Sequence, residues 1–287
     1  MSGILYIVGT PIGHLGDMTF RAIETLKAVD LIAAEDTRHT GKLLKHFGIA
    51  TPQLSYHHHN RAQRTPELGD RLRQGANIAL VSDAGMPGIA DPGYELVAAC
   101  VEQGIPVVPI PGVTAAITAL AVSGLPSDRF LFEGFLPAKA RARVVYLQTL
   151  ASQTATLIFY AAPHRLLAIL HDLVMVLGGD RRVVLARELT KLHETLWRGT
   201  LAQALAHYHH QSPKGEFTLI VAGATPALSV SLTQEQLKAQ LQALLAQGMT
   251  RSQASRELAE QTQQPRRQLY QLSLTLPEPD TEAQPPN

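Results

Sequence analysis

Residues 4–13 read Ile-Leu-Tyr-Ile-Val-Gly-Thr-Pro-Ile-Gly, an apolar run that ends directly in a turn with two glycines and a proline. The apolar run is typical of a buried β-strand. A turn of this composition is tight and leaves its backbone amides accessible. It is not the dinucleotide-binding fingerprint, because the pattern Gly-x-Gly-x-x-Gly is absent. Ligands of parallel sheets bind where loops leave the carboxyl ends of strands. The stretch therefore predicts an α/β fold with a ligand-binding loop at residues 9–13.

Short apolar runs and longer helical patterns alternate along most of the chain. A first set of predicted strands covers residues 4–9, 31–35, 53–57, 77–83 and 107–110. Helices are expected between them, the first capped by Asp17 with an apolar side through Phe20, and others at residues 40–46, 65–74 and 93–103. A second set of strands covers residues 130–134, 156–160, 183–188, 194–199 and 217–222. We predict two α/β domains that meet near residues 111–125, the first with a mostly parallel sheet and the second partly antiparallel.

The composition changes after residue 223. Residues 234–264 are rich in Gln, Ala and Leu at helical spacing, and the order helix, glycine turn, helix, short loop, helix resembles a helix-turn-helix. A three-helix unit for dimerisation or capping is the alternative. We divide the chain into an N-terminal α/β domain (1–118), a second α/β domain (119–225), a helical module (234–275) and a disordered tail (276–287).

Charge and hydropathy exclude a broadly basic or membrane-spanning chain. The formal net charge is +1, hydrophobic residues make up 45% and charged residues 17% of the sequence. The overall charge gives no indication of a nucleic-acid partner, and any basic surface must be local. The amino terminus lacks the charged segment of a signal peptide, and the apolar runs are too short to span a membrane. We expect a cytoplasmic protein with no membrane association.

Two further loops follow apolar strands and are unusually constrained. Residues 82–93 read Ser-Asp-Ala-Gly-Met-Pro-Gly-Ile-Ala-Asp-Pro-Gly, and residues 109–116 read Pro-Ile-Pro-Gly-Val-Thr-Ala-Ala. Glycines allow the backbone to approach a flat or elongated ligand closely, and Asp83 and Thr114 offer polar groups to it. Three such loops at one edge of a sheet predict a binding site there.

In this order the three loops resemble those of the tetrapyrrole methylase superfamily, the class III S-adenosylmethionine-dependent methyltransferases. Residues 160–165 and 214–220 resemble two further segments of that family that border the cofactor. The resemblance implies a cleft between the two domains that binds S-adenosylmethionine through Thr10, Pro11, Asp83, Ala84, Gly85, Pro87, Ile89, Thr114, Tyr160, Ala162, Glu216, Phe217 and Thr218.

The resemblance narrows to one branch of the family. Porphyrin-precursor enzymes carry a Gly-Pro-Gly-Asp turn where residues 9–13 read Gly-Thr-Pro-Ile-Gly. This motif, together with residues 34–38, 55–60, 133–137 and 187–194, resembles the motifs of the branch that 2′-O-methylates a decoding-centre cytidine of 16S ribosomal RNA. It implies a methyltransferase whose partner is 16S ribosomal RNA in the small ribosomal subunit, and a homodimer.

Methyl transfer to a ribose oxygen requires alignment of the two reactants and removal of a proton. The cluster at residues 35–38 follows an apolar strand, so we predict that Glu35, Asp36 and Arg38 belong to the catalytic cleft. Asp36 as a helix N-cap with a solvated Arg38 is the alternative.

Polar and basic residues beside these loops are the candidates for RNA contact: His14, His57, His59, Asn60, Lys139, Arg141, Arg143, Arg266 and Arg267. Three consecutive histidines cannot all bind one ion from a strand, and the family resemblance implies no metal. Two other functions remain open. One is a methyltransferase for a porphyrin precursor, and the other is a non-catalytic ribosome assembly factor.

Overall fold

The computed structural model describes residues 2–225, 232–262 and 264–277. It divides into two compact units, Met1–Gly223 and Ala224–Asn287. The predicted disordered tail lies almost entirely outside the described residues. Within the described residues, no helix is both long and apolar enough to cross a membrane.

The first sheet contains the five predicted strands, and all its pairings are parallel. Its strands are β1 (Leu5–Val8), β2 (Leu31–Ala34), β3 (Gln53–Ser55), β4 (Ile78–Val81) and β5 (Val107–Ile110), in the order β3-β2-β4-β1-β5. The connecting helices are α1 (Phe20–Ala28), α2 (Thr37–His46), α3 (Arg61–Arg73) and α4 (Tyr94–Glu102). Strands β2 and β4 are buried along their whole length, because helices cover both faces of such a sheet.

The second sheet is mixed, as predicted. Its strands are β6 (Phe130–Phe135), β7 (Thr156–Ala161), β8 (Arg182–Arg187), β9 (Thr195–Thr200) and β10 (Phe217–Val221). The order is β6-β7-β10-β8-β9, with β6 parallel to β7 and the remaining pairs antiparallel. Helices α6 (Ala140–Leu150), α7 (Leu166–Leu177) and α8 (Leu201–His209) pack on one face of this sheet. Helix α5 (Ala115–Ser123) packs on the other face.

Helix α5 contacts β7 and β10 of the second sheet. The boundary predicted after residue 118 lies inside this helix, so we propose that the domain boundary lies nearer Ala115. A helix belongs with the core that buries its apolar side chains, and those of α5 join the cluster of the second sheet.

The start of α1 differs from the sequence prediction. Thr19, and not Asp17, caps the helix, with its hydroxyl accepting a hydrogen bond from Ala22 N at 3.1 Å. Asp17 instead ends a short 3-10 turn. Phe20, predicted on the apolar side, is 87% exposed, whereas Leu26 is fully buried.

The C-terminal unit consists of α9 (Gln234–Ala246), α10 (Arg251–Thr262) and α11 (Arg266–Leu274). Leucines from the three helices share one core, which contains Leu241, Leu258 and Leu269. Ala254 is fully buried in it, because a small side chain lets two helices cross closely. The helical module predicted from the sequence is therefore present.

Two glycines bring the loops after β1 and β5 into backbone contact. A Cβ added to Gly112 would lie 2.7 Å from Gly9 Cα, and one added to Gly9 would lie 2.6 Å from Gly112 Cα. Real Cβ atoms do not approach other atoms this closely. Only glycine at both positions therefore permits this crossing.

We predict that Gly112→Ala lowers the free energy of unfolding by about 1–3 kcal/mol, the usual cost of forcing atoms into filled space. Urea denaturation followed by circular dichroism measures it. The matched control is Gly41→Ala in α2, where the new Cβ would meet Gln53 Nε2 at an ordinary 3.5 Å. Equal effects of the two substitutions would contradict the close approach.

Candidate cofactor and active site

The loops after β1 and β4 are joined by a reciprocal pair of backbone hydrogen bonds. Thr10 N donates to Gly85 O at 2.9 Å, and Gly85 N donates to Thr10 O at 3.1 Å. The Thr10 hydroxyl also donates to Ser82 O at 3.1 Å. With the contact between Gly9 and Gly112, this places the three predicted loops against one another at the carboxyl edge of the first sheet.

The second sheet reaches the same place through Tyr160. Ala116 N, in the first turn of α5, donates to the Tyr160 hydroxyl at 3.2 Å. Thr114 caps that helix, its hydroxyl accepting from Ile117 N at 3.3 Å. Ile12 from the first loop packs in the same apolar cluster as Tyr160. The predicted cleft is thus bordered by loops of the first sheet and by β7 of the second.

The loops predicted to hold S-adenosylmethionine approach one another closely. Gly85 has a φ of 90°, and a Cβ there would lie 3.4 Å from Val113 O, so no side chain separates the second loop from the third at this point. The remaining predicted residues on these loops range from buried to exposed: Thr10, Pro11 and Pro87 are buried, Asp83 and Ala162 are half-buried, and Ala84 and Ile89 are exposed.

Strand β10 separates two of the predicted cofactor residues. Thr218 and Phe217 are both buried, but alternate residues of a strand point to opposite faces. Phe217 packs in the cluster beneath α6, α7 and α8. Ile220, three residues later in the strand, points to the opposite face and packs with α5. The Phe217 side chain therefore lies on the face away from α5, and a contact between Phe217 and the cofactor stays a prediction that would use its backbone.

Glu216, another predicted cofactor residue, belongs to an ionic cluster at the loop after β8. Lys191 Nζ lies 3.0 Å from Glu188 Oε1 and 2.8 Å from Glu216 Oε2. The same loop contacts the first loop, because His14 N donates to Thr190 Oγ1 at 3.1 Å. Glu188 and Thr190 have φ values of 51° and 63°, so the ionic and hydrogen-bonding partners hold a strained backbone in place.

Carboxylates connect the loops after β2 and β4. Asp83 N donates to Glu35 Oε2 at 3.2 Å, and Asp36 N donates to Asp83 Oδ1 at 3.1 Å. Burial raises the pKa of Glu35 above its ordinary value, and the charge of Asp83 adds to that rise while its backbone N–H opposes it. Glu35 and Asp83 therefore lie together where the loops after β2 and β4 meet.

Asp36 is the N-cap of α2, which is the alternative to a catalytic role that the sequence left open. It caps α2, with Oδ1 accepting from Arg38 N at 2.8 Å, and its two oxygens bind the Arg38 guanidinium at 3.0 and 2.7 Å. These hydrogen bonds lower the pKa of Asp36 well below its usual range. The Arg38 side chain is 89% exposed. Asp36 is consequently a weak proton acceptor.

Asp91 is a titratable residue of the cleft that the sequence analysis did not single out. Burial, together with the negative charges of Glu35 and Asp83, raises its pKa to about 7. The Asp91 charge also contributes to a raised pKa of Tyr160, after the larger effect of burial. The second aspartate of residues 82–93 was a visible signal, but its burial depends on how three loops fold together.

The structure contradicts one predicted RNA contact. Arg143 is 4% exposed, its Nε lies 2.7 Å from Asp172 Oδ2, and its Nη1 donates to Pro137 O and Ala138 O. A buried guanidinium with these partners is not available to a phosphate. Lys139 and Arg141, on either side of the start of α6, are exposed.

The other predicted RNA-contacting residues lie on the surface or in turns. His14, His59, Arg266 and Arg267 are exposed. Asn60 instead shapes the turn after β3, because Oδ1 accepts from His57 N at 2.8 Å and Nδ2 donates to Ser55 O at 3.0 Å. Among the described residues, no group of three or more His, Cys, Asp or Glu side chains is arranged to hold a metal ion.

Asp91→Asn tests the electrostatics of the cleft. A carboxyl whose folded pKa is about 7, against about 3.9 when unfolded, destabilises the fold progressively as pH rises between those values. The stability of Asp91→Asn relative to the wild type should therefore increase from about pH 4 to pH 7 and stay level above. The slope should be well below the limit of about 1.4 kcal/mol per pH unit, because solvent screens a half-exposed group.

Urea denaturation at a series of pH values measures this difference. Asp128→Asn, at an exposed position outside the cleft, is the control and should show little pH dependence. A constant difference between Asp91→Asn and the wild type across this range would contradict the raised pKa.

Comparison with known proteins identifies the family. The model of the Tetrapyrrole (Corrin/Porphyrin) Methylases matches residues 4–205, and that of the RsmI C-terminal HTH domain matches residues 232–277. "Ribosomal RNA small subunit methyltransferase I" of Synechocystis sp. is 64% identical over 96% of this chain and 98% of its own length. The protein of the same name from Vibrio cholerae is 53% identical over 82% of each chain.

Solved structures show the same fold at low sequence identity. Uroporphyrin-III-C-methyltransferase from Thermus thermophilus has a TM-score of 0.56 and 22% identity, covering 77% of this chain and 94% of its own. A diphthine synthase has a TM-score of 0.59 and 14% identity, covering 78% and 91%. The chain therefore belongs to the tetrapyrrole (corrin/porphyrin) methylase family and is an S-adenosylmethionine-dependent methyltransferase.

Proposed function

We propose that the chain 2′-O-methylates a decoding-centre cytidine of 16S ribosomal RNA within the small ribosomal subunit, in the cytoplasm. The observation that carries the proposal is the 64% identity, over nearly the full length of both chains, to a relative named for small-subunit ribosomal RNA methylation. The cytidine and the 2′-oxygen rest on the motifs at residues 34–38, 55–60 and 187–194. The helical module adds exposed arginines, Arg266 and Arg267, which suit RNA phosphates.

In this proposal the cleft holds the cofactor and the RNA hydroxyl in line. When bound, S-adenosylmethionine supplies a methyl group that is activated by its positive sulfur. The backbone of residues 9–13, 82–93 and 111–116 positions it, and Tyr160 and Thr218 border it from the second sheet. A ribose oxygen then forms a bond to the methyl carbon as the carbon–sulfur bond breaks, with the electron pair passing to sulfur.

The hydroxyl proton must pass to a base in the cleft. We propose Asp91, with Glu35 beside it, because a base works best with a pKa near the working pH, and the pKa of Asp91 is about 7. Asp36 and Arg38 are proposed instead to position the loop and contact RNA. The exposed guanidinium of Arg38 can reach a phosphate without losing its carboxylate partner.

Asp91→Asn should bind S-adenosylmethionine with unchanged affinity but methylate small-subunit RNA about 10²–10⁴-fold more slowly, the usual effect of removing a general base. Mass spectrometry of 16S ribosomal RNA from cells without the protein, and from cells complemented with each variant, locates the modified nucleotide. Glu24→Gln, on α1 outside the cleft, is the control.

The outcome also separates the other functions. Loss of the protein without loss of any methyl group from small-subunit RNA would refute the proposed activity. Calorimetric binding of a porphyrin precursor would then favour the small-molecule methyltransferase, and absence of S-adenosylmethionine binding would favour an assembly factor.

We also propose a homodimer. Phe20 at the start of α1 is 87% exposed, and Ile117 on α5 is 50% exposed. Large apolar side chains grouped on a surface mark interaction sites, and a second copy of this chain can bury both sets at once through a self-complementary patch.

Phe20→Ser should shift the protein towards the monomer in analytical ultracentrifugation, because it removes an apolar anchor from the proposed interface. Met175→Ser, which changes a residue of α7 that is 64% exposed, is the control and should leave the mass unchanged. A wild-type protein that sediments as a monomer at micromolar concentration would contradict the dimer.

A further inference from the structure

An extra residue in β6 interrupts its pairing with β7. Phe132 pairs with Ile158, but the next pairs are Gly134 with Phe159 and Phe135 with Tyr160, so Glu133 has no partner and forms a β-bulge. Gly134 has a φ of 59°, which permits the bend. The Glu133 carboxylate accepts a hydrogen bond from the hydroxyl of Tyr146 in α6. This hydrogen bond holds the Glu133 side chain on the face covered by α6, α7 and α8.

The bulge changes the face on which Phe135 lies. In a regular strand Phe132 and Phe135 would point to opposite faces, and Phe135 would lie beneath α6, α7 and α8. With the extra residue, both rings contact Tyr160 edge to face, at centroid distances of 5.0 and 5.5 Å. Bulges often re-aim a side chain beside an active site. Here the bulge moves Phe135 from the face covered by α6, α7 and α8 to the face that carries Phe132 and Tyr160, which we call the cleft side.

Phe135 is the outer ring of the three. It is 57% exposed, whereas Phe132 and Tyr160 are half-buried and pack in the cluster with α5. The hydroxyl of Tyr160 is engaged by Ala116 N, so the Tyr160 ring stands between the cofactor loops and Phe135. An exposed aromatic ring on a fixed support is suited to stacking.

The turn after Phe135 is held rigidly from below. Arg165 Nη2 donates to Leu136 O at 2.7 Å and to Pro137 O at 2.8 Å. Arg143 donates to Pro137 O and to Ala138 O, both at 3.2 Å, and is itself paired with the buried Asp172. Two guanidinium groups therefore fix three successive carbonyl groups, and the ring of Phe135 has little freedom to collapse onto the surface.

We propose that Phe135 is a stacking face for a nucleobase of the RNA substrate, which rests on the function proposed above. Sequence-specific recognition of single-stranded RNA commonly splays bases out and stacks them on aromatic side chains. Lys139 and Arg141 follow within six residues and are exposed, so cations suited to the flanking phosphates lie beside the ring. The Tyr160 ring contacts Phe135 on one side and its hydroxyl is bound by the loop after β5, which favours the base of the substrate over the adenine of the cofactor as the group on Phe135.

The test compares Phe135→Leu with Phe135→Trp. Leucine keeps an apolar side chain but cannot stack, and tryptophan keeps a stacking surface. The control is Phe130→Leu, at the other end of the same strand and 40% exposed. For each full-length protein, the Kd for 16S ribosomal RNA, the Kd for S-adenosylmethionine and the single-turnover methylation rate of small subunits are measured separately.

We expect Phe135→Leu to weaken RNA binding, or to slow methylation at subsaturating RNA, about tenfold. Phe135→Trp and Phe130→Leu should stay within about twofold of the wild type, and all variants should bind S-adenosylmethionine equally. Phe135→Leu with unchanged RNA affinity and rate would overturn the stacking role. So would a loss confined to cofactor affinity, or a change in sedimenting mass, since these place the ring against the cofactor or a second copy.

The stacking role and the proposed function fail in different ways. If the wild type binds RNA but methylates none, and Phe135→Leu still weakens binding, the stacking face stands and the activity falls. If the wild type methylates small subunits and Phe135→Leu does so equally well, the activity stands and the stacking face falls. A wild type that neither binds nor methylates RNA overturns both.

Discussion

The cleft depends on a crossing of backbones that leaves no room for a side chain. Strand β1 lies between β4 and β5 in the first sheet, so the loops after these three strands leave the same edge side by side. Gly9 and Gly112 let the first and third loops touch, and the hydrogen-bonded pair of Thr10 with Gly85 fixes the second against the first. The parallel register of the sheet and the absence of Cβ atoms together convert three separate loops into one continuous binding surface.

Sequence patterns predicted the elements well because their signals are local. All ten predicted strands occur among the residues that the structure describes, with ends that differ from the prediction by two residues at most. The loops were predicted from glycine and proline, which act through their own backbone. Arg143 was placed wrongly because its partner, Asp172, is 29 positions away, and a basic residue near a cleft does not by itself reveal a buried ion pair. The face on which the Phe217 side chain packs could not be predicted, because it depends on how helices cover the sheet and not on the sequence of the strand alone.

Two aspartates near the cleft, Asp36 and Asp91, have pKa values shifted in opposite directions by their surroundings. Asp36 is committed to a helix cap and to Arg38, which keeps it ionised. Asp91 lies half-buried beside other carboxylates, so its proton is held up to about neutral pH. In the sequence, Asp36 and Asp91 look alike, because each is an aspartate in a loop after a predicted strand. Only the assembled fold distinguishes them, because burial and neighbouring charge are set by residues from other strands. The bulge in β6 could not be predicted from the sequence either. One unpaired residue, Glu133, moves Phe135 to the cleft side of the sheet, and the hydrophobic periodicity of the strand does not indicate it.

The central claim is that one cofactor pocket is built from the loops after β1, β4 and β5 and completed by β7. Hydrogen–deuterium exchange of the full-length protein, with and without saturating S-adenosylmethionine, tests it most directly. The account predicts that slowed exchange is concentrated at residues 9–13, 82–93, 111–116 and 160–163, and that these segments respond together at one ligand concentration. Unchanged exchange in these loops, with protection at another part of the chain, would contradict it.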